Sequence, residues 1–94
     1  MIKIKAKIKT HLGKGRTNPI TSGYRPLFFF GTQSLKSGMI TLINASSIEI
    51  GDESEVYVTF NDNEFMGEDL SIGERILFGE GINLFGEIEI LEIF

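Results

Sequence analysis

The sequence lacks cysteine altogether, has one histidine, and carries two prolines among its 94 residues. Without cysteine it can form no disulfide, no thiol nucleophile and no zinc–thiolate site. The lone His11 has no second histidine, cysteine or patterned carboxylate beside it. It reads as a loop or strand-end residue, not as a base or a ligand. No apolar run approaches the roughly 20 residues that span a bilayer as a helix. The opening residues alternate Ile with Lys, unlike the charged-then-apolar order of a signal peptide. These absences lead us to expect a soluble, cytoplasmic protein.

Charge of one sign is missing from the first half and nearly so from the second. Lys3, Lys5, Lys7, Lys9, Lys14, Arg16, Arg25 and Lys36 precede the first acid, and all 13 acids follow, accompanied by one base, Arg75. Such a split can mark a basic segment that binds nucleic acid. In an antiparallel barrel it also arises when a lysine strand lies beside a glutamate strand, since opposite charges on paired strands attract and fix register. The second explanation is preferred here, with Glu87 and Glu89, and Glu92 out of step with them, facing the lysine row.

What is present is β pattern. Ile2, Ile4, Ala6 and Ile8 alternate with Lys3, Lys5, Lys7 and Lys9, the period of a half-buried strand. Further strands are predicted over Leu27–Thr32, Met39–Ile43, Glu55–Phe60, Arg75–Phe78 and Leu84–Ile93. Between them lie turn signals at Ser37-Gly38 and Gly51-Asp52, and polar loops over His11–Gly23 and Asn61–Ser71. Glycines 79, 81 and 86 are expected to let the chain turn between strands. Eight Phe and many Ile supply one small core. The reading is all-β: a single domain over residues 1–94 forming a six-stranded, closed, antiparallel, Greek-key-like barrel. No internal repeat is apparent.

Chemical motifs are sparse. Gly13-Lys14-Gly15-Arg16-Thr17 lacks the spacing of a phosphate-cradling P-loop, and Gly79-Glu80-Gly81 with Gly86 lacks that of a dinucleotide fingerprint. The acidic loop Asn61-Asp62-Asn63-Glu64 to Gly67-Glu68-Asp69 lacks the EF-hand pattern and reads as solvated. No paired carboxylates stand out for acid–base work. No catalytic residue, metal site or cofactor is expected, and the chain reads as not an enzyme.

Gly15-Arg16-Thr17, Pro19, Gly23-Tyr24-Arg25-Pro26 and then Phe28 and Phe30 form the most specific stretch. Pro26 fixes its own φ and holds Arg25 extended. Together with Gly51-Asp52 and with Gly73-Glu74-Arg75-Ile76-Leu77-Phe78-Gly79-Glu80-Gly81 through Gly86, this stretch resembles the C-terminal β-barrel domain of translational GTPases such as elongation factor Tu. The likeness covers most of the chain. The GTP-binding and middle domains of that family have no counterpart, so GTPase activity is not implied.

In that family the barrel contacts the T-stem backbone of aminoacyl-tRNA, the exchange factor and the GTPase domain. The resemblance implies an RNA-binding reading with Lys14, Arg16, Thr17 and Arg25 as contacts. Thr17 stands where the family has histidine, and Gly79 and Asn83 replace basic residues, in a strongly acidic half that repels phosphate. Leu27 and Phe29 stand where the family is more polar. With Phe28 and Phe30 turned to the core, both would face outward, and an exposed apolar patch marks a partner. The leading expectation is therefore a non-catalytic protein-interaction module, of an inhibitor or immunity type, with Tyr24, Leu27 and Phe29 at the interface. The alternatives are a tRNA- or ribosome-associated RNA-binding domain, and self-association through Leu27 and Phe29.

Overall fold

The computed structural model describes residues 2–10, 19–30, 34–61, 70–80 and 83–94. Six strands form: β1 (Ile2–Thr10), β2 (Leu27–Phe30), β3 (Ser34–Leu42), β4 (Glu53–Phe60), β5 (Arg75–Glu80) and β6 (Asn83–Ile93). They close into an antiparallel barrel in the order β1-β4-β3-β2-β5-β6. Successive strands β2, β3 and β4 are neighbours, and β1 returns beside β4, a Greek-key arrangement. Closure leaves no unpaired strand edge in the sheet.

The alternation seen in the sequence decides which side chains enter. Ile4, Ala6 and Ile8 of β1, Val56 and Val58 of β4, and Ile88 and Ile90 of β6 have no exposed surface. Phe28, Phe60 and Phe78 fill the rest. The Phe28 ring meets Phe60 edge-on at a centroid distance of 5.3 Å and Phe78 at 5.9 Å. Ile20 and Ile48 join the same core through an isolated two-residue bridge between the loops that carry them. The buried Thr10 hydroxyl donates to the Glu49 carbonyl (3.2 Å) and accepts from the Gly51 amide (2.6 Å). That exchange ties the turn at Gly51-Asp52 to the end of β1.

Strand limits differ from the sequence reading chiefly in β3, which begins at Ser34, not at Met39. Ser37-Gly38 is no turn. Gly38 lies inside the strand because two rings press on it: a Cβ there would stand 2.8 Å from the Phe60 ring and 2.9 Å from that of Phe28. Gly79 and Gly86 also lie within strands.

The expectation of no internal repeat is corrected. The barrel consists of two similar halves, β1–β3 and β4–β6, whose matching residues differ by 50 in number. Phe28 pairs with its own counterpart Phe78, and around that pair Leu27 meets Gly79 while Phe29 meets Leu77. Ala6 likewise pairs with its counterpart Val56. A pseudo-two-fold axis runs through both pairs. Gly23 and Gly73, with φ of 97° and 90°, sit in matching turns. Each donates its amide to an equivalent carbonyl, Gly23 to Ile40 (2.8 Å) and Gly73 to Ile90 (2.7 Å). The sequence trace of the repeat is short: Ile20-Thr21-Ser22-Gly23-Tyr24-Arg25-Pro26-Leu27-Phe28 against Leu70-Ser71-Ile72-Gly73-Glu74-Arg75-Ile76-Leu77-Phe78. The halves diverge where β3 and β6 meet the other half. Val56 faces Leu42, whereas Ala6 faces Ile90.

Candidate functional site

The outer wall of the barrel divides into an ionic sector and an apolar one. In the ionic sector, β1 lies between two glutamate-bearing strands. Lys7 and Lys9 stand opposite Glu55 and Glu53 of β4 on one side and opposite Glu89 and Glu87 of β6 on the other. A bulge in β6 advances the chain by one residue, so that Lys5 faces Glu92 while Ala6 faces Ile90. This explains why Glu92 looks out of step in the sequence. Ion pairs join Lys5 to Glu55 (3.3 Å) and Glu92 (3.9 Å), Lys7 to Glu53 (3.2 Å), and Lys9 to Glu53 (3.8 Å). Arg75 stands opposite Glu89 at the far edge of the same sector. Lys3 lies 4.2 Å from the centre of the Tyr57 ring, with Phe94 packed against that ring at 5.9 Å.

The hydrogen bond and charge of Glu55 raise the Lys5 ammonium above the ordinary lysine value of 10.5. A group whose folded pKa is raised stabilises the protein fully below its unfolded value, and that contribution fades as pH rises through the folded value. Thermal melts of wild type are therefore expected to lose stability above about pH 10.5. Lys5→Met should remove the part of that loss due to Lys5. Parallel pH profiles for the two proteins between pH 9 and 12 would show that the pairing at Lys5 is without effect.

The apolar sector covers β3, β2 and β5. Leu35, Phe29 and Leu77 stand side by side on neighbouring strands, all facing outward. Leu35 is 51% exposed and Leu77 41%. Leu27 lies beside Phe29 on the same face, both half-buried. Leu84 of β6, 39% exposed, stands opposite Gly79. At outward positions β2 presents Leu27 and Phe29, and β3 presents Leu35, Ser37, Met39 and Thr41, none of them charged.

The residues singled out from the sequence fall into three groups. Leu27 and Phe29 lie in the apolar sector. Tyr24 packs partly against the core, and its hydroxyl donates to Oε2 of Glu80 at 2.7 Å, fastening the segment before β2 to the end of β5. Arg25 is exposed where β2 begins. Lys14, Arg16 and Thr17 lie outside the described residues. Leu35, Leu77 and Leu84 were missed as surface residues. Leu77 carried a usable signal, because the middle of the apolar triplet Ile76-Leu77-Phe78 must point away from the core if its neighbours point in.

Among the described residues no group of three or more histidine or acidic side chains is placed to hold a metal ion. The depression among Lys7, Lys9, Glu53, Arg75, Glu87 and Glu89 is lined by side chains of both signs. No protein-family model matches the chain, and no curated protein matches it either.

Proposed function

We propose that this chain is a non-catalytic, translation-factor-like β-barrel that acts in the cytoplasm as a protein-interaction module. Its contact surface is the apolar sector of β3, β2 and β5, and an inhibitor or immunity-type binder is the role such a module suits. The observation that carries the reading is the outward row Leu35–Phe29–Leu77, large apolar side chains on three adjacent strands. Contiguous apolar surface of this kind is characteristic of docking sites on soluble proteins. The likeness to the C-terminal barrel of translational GTPases rests on Gly23-Tyr24-Arg25-Pro26 leading into β2 of a closed six-stranded barrel.

RNA binding through Lys14, Arg16, Thr17 and Arg25 is the competing reading. The lysine row lends it little, because Lys5, Lys7 and Lys9 are already held by carboxylates. Affinity capture from lysate with wild type and with Phe29→Glu, each with and without RNase, separates the two readings. The expected result is a protein held by wild type after RNase treatment and lost with Phe29→Glu, whose far-UV spectrum is unchanged. Capture that ignores the Phe29→Glu substitution, or that disappears with RNase, would overturn the module reading.

A further inference from the structure

We infer that β1 and β4 carry a recognition code between the two halves of the barrel, by which residues 1–50 accept residues 51–94 as their partner and refuse a like half. The strand order leaves each half incomplete. Only β3–β2 and β5–β6 are neighbours within a half, whereas β1–β4, β4–β3, β2–β5 and β6–β1 join one half to the other. The backbone does not tell the halves apart. Ile40 and Ile90 donate their amides to the carbonyls of Tyr24 and Glu74, each at 2.9 Å, beside the matching bonds of Gly23 and Gly73. Nor does the pair on the axis, which is phenylalanine on both sides. Surfaces related by a two-fold axis are self-complementary in outline, so a half of this geometry fits its own likeness unless side chains forbid it.

The side chains at equivalent positions do forbid it. Lys3 and Lys5 of β1 correspond to Glu53 and Glu55 of β4. Ala6 lies opposite Val56, so a second β1 in the place of β4 would set Ala6 against Ala6, Lys5 against Lys7 and Lys3 against Lys9. Like charges directly opposite each other destabilise a strand pair. On the other side β3 would replace β6, and its outward Ser37, Met39 and Thr41 offer the lysines no carboxylate. Each ion pair described for Lys5, Lys7 and Lys9 would be lost, since all run to Glu53, Glu55 or Glu92. Size acts in the same direction. Ala6 and Val56 have no exposed surface, and two alanines there would leave a void where two valines would crowd. Charge also acts at longer range. Residues 1–50 hold eight bases and one acid, Glu49, and residues 51–94 one base and 12 acids. Like halves therefore repel and opposite halves attract while the barrel is still open.

The test uses the full chain, with urea midpoints measured at low and at high salt. Lys7→Glu/Lys9→Glu imitates a like half, because acids then face Glu55 and Glu53. Its folding equilibrium constant should fall by at least about tenfold at low salt. Adding Glu53→Lys/Glu55→Lys to that variant should raise the midpoint again, although the number of substitutions doubles. High salt, which screens exposed charges, should shrink the difference. A further fall on adding the second pair, or a difference indifferent to salt, would overturn the code. A second measurement reads the choice of partner. Lys5→Thr/Lys7→Thr/Lys9→Thr keeps residues that suit a strand and removes the like-charge penalty. Refolded from urea at high protein concentration, it should leave several times more protein than wild type in species heavier than the 10.5 kDa chain. It should do so although the chain has become more acidic, which by itself opposes association. Equal mass distributions for the two proteins would overturn the exclusion of like halves, whatever the midpoints show. None of these residues lies in the apolar sector, so neither outcome bears on the interaction-module reading.

Discussion

Phe28→Ala is expected to destabilise the barrel by about 3–5 kcal/mol, the usual cost of removing a fully buried aromatic ring. Phe28 has no exposed surface and sits on the pseudo-two-fold axis, where its ring contacts both Phe60 and Phe78. It also lies within the shortest strand, Leu27–Phe30, so few other contacts hold β2 between β3 and β5. The space left behind is walled by the Phe60 and Phe78 rings, and a close-packed core relaxes only partly into a cavity. A domain of this size has a net stability of about 5–15 kcal/mol, so the variant would retain a small margin. The melting temperature should fall on the order of 20 °C. Phe28→Leu, which keeps most of the volume, should fall by much less. A melting temperature for Phe28→Ala within a few degrees of wild type would show that β2 is not integral to the core.

Gly86→Val is expected to cost about 2–4 kcal/mol, through overpacking in the middle of β6. A Cβ at Gly86 would run into the Lys9 carbonyl of β1 and stand 2.9 Å from the Phe78 ring. The carbonyl is backbone in a paired strand and cannot rotate away. Relief therefore requires β6 to move off β1, which opens the barrel where its two ends of chain close it. Gly73→Ala offers the comparison. Nothing lies within 4 Å of a Cβ there, but φ is 90°, a conformation that L side chains rarely adopt. Its cost should be backbone strain alone, about 1–2 kcal/mol. Urea midpoints for the two variants should therefore rank Gly86→Val as the more damaging, and the reverse order would refute the close-approach argument.

The apolar sector became visible in the sequence only in part. Leu27 and Phe29 were identifiable because a run of apolar residues in a short strand must place every second one outside. Leu35 was not, since the glycine three positions later looks like a turn and cuts β3 short. Gly38 is small for packing reasons, and no local pattern distinguishes a glycine pressed by two rings from one that bends the chain. Tyr24 makes a contact that no local pattern carries, because its hydroxyl is engaged by Glu80, 56 residues further along. The repeat is faint in the sequence because its halves share little beyond the glycine, arginine, leucine and phenylalanine of the turn-to-strand segment. What the halves have in common is hydrogen-bond geometry, which many sequences satisfy.

By itself the sequence determined the class and the inner wall. Alternation through β1, β4 and the middle of β6 sorts those residues to one face or the other, and period two leaves such a strand no other consistent burial. The separation of nearly all bases into the first half and of the acids into the second likewise favoured a lysine strand lying beside glutamate strands. Which strands meet was decided by tertiary structure, because pairing between residues far apart in the chain depends on closure of the barrel and on a single bulge in β6. Closure set Lys5 between Glu55 and Glu92, and it gathered Leu35, Phe29 and Leu77 from three strands into one row. A row across strands has no signature along the chain; it exists only once the register is fixed.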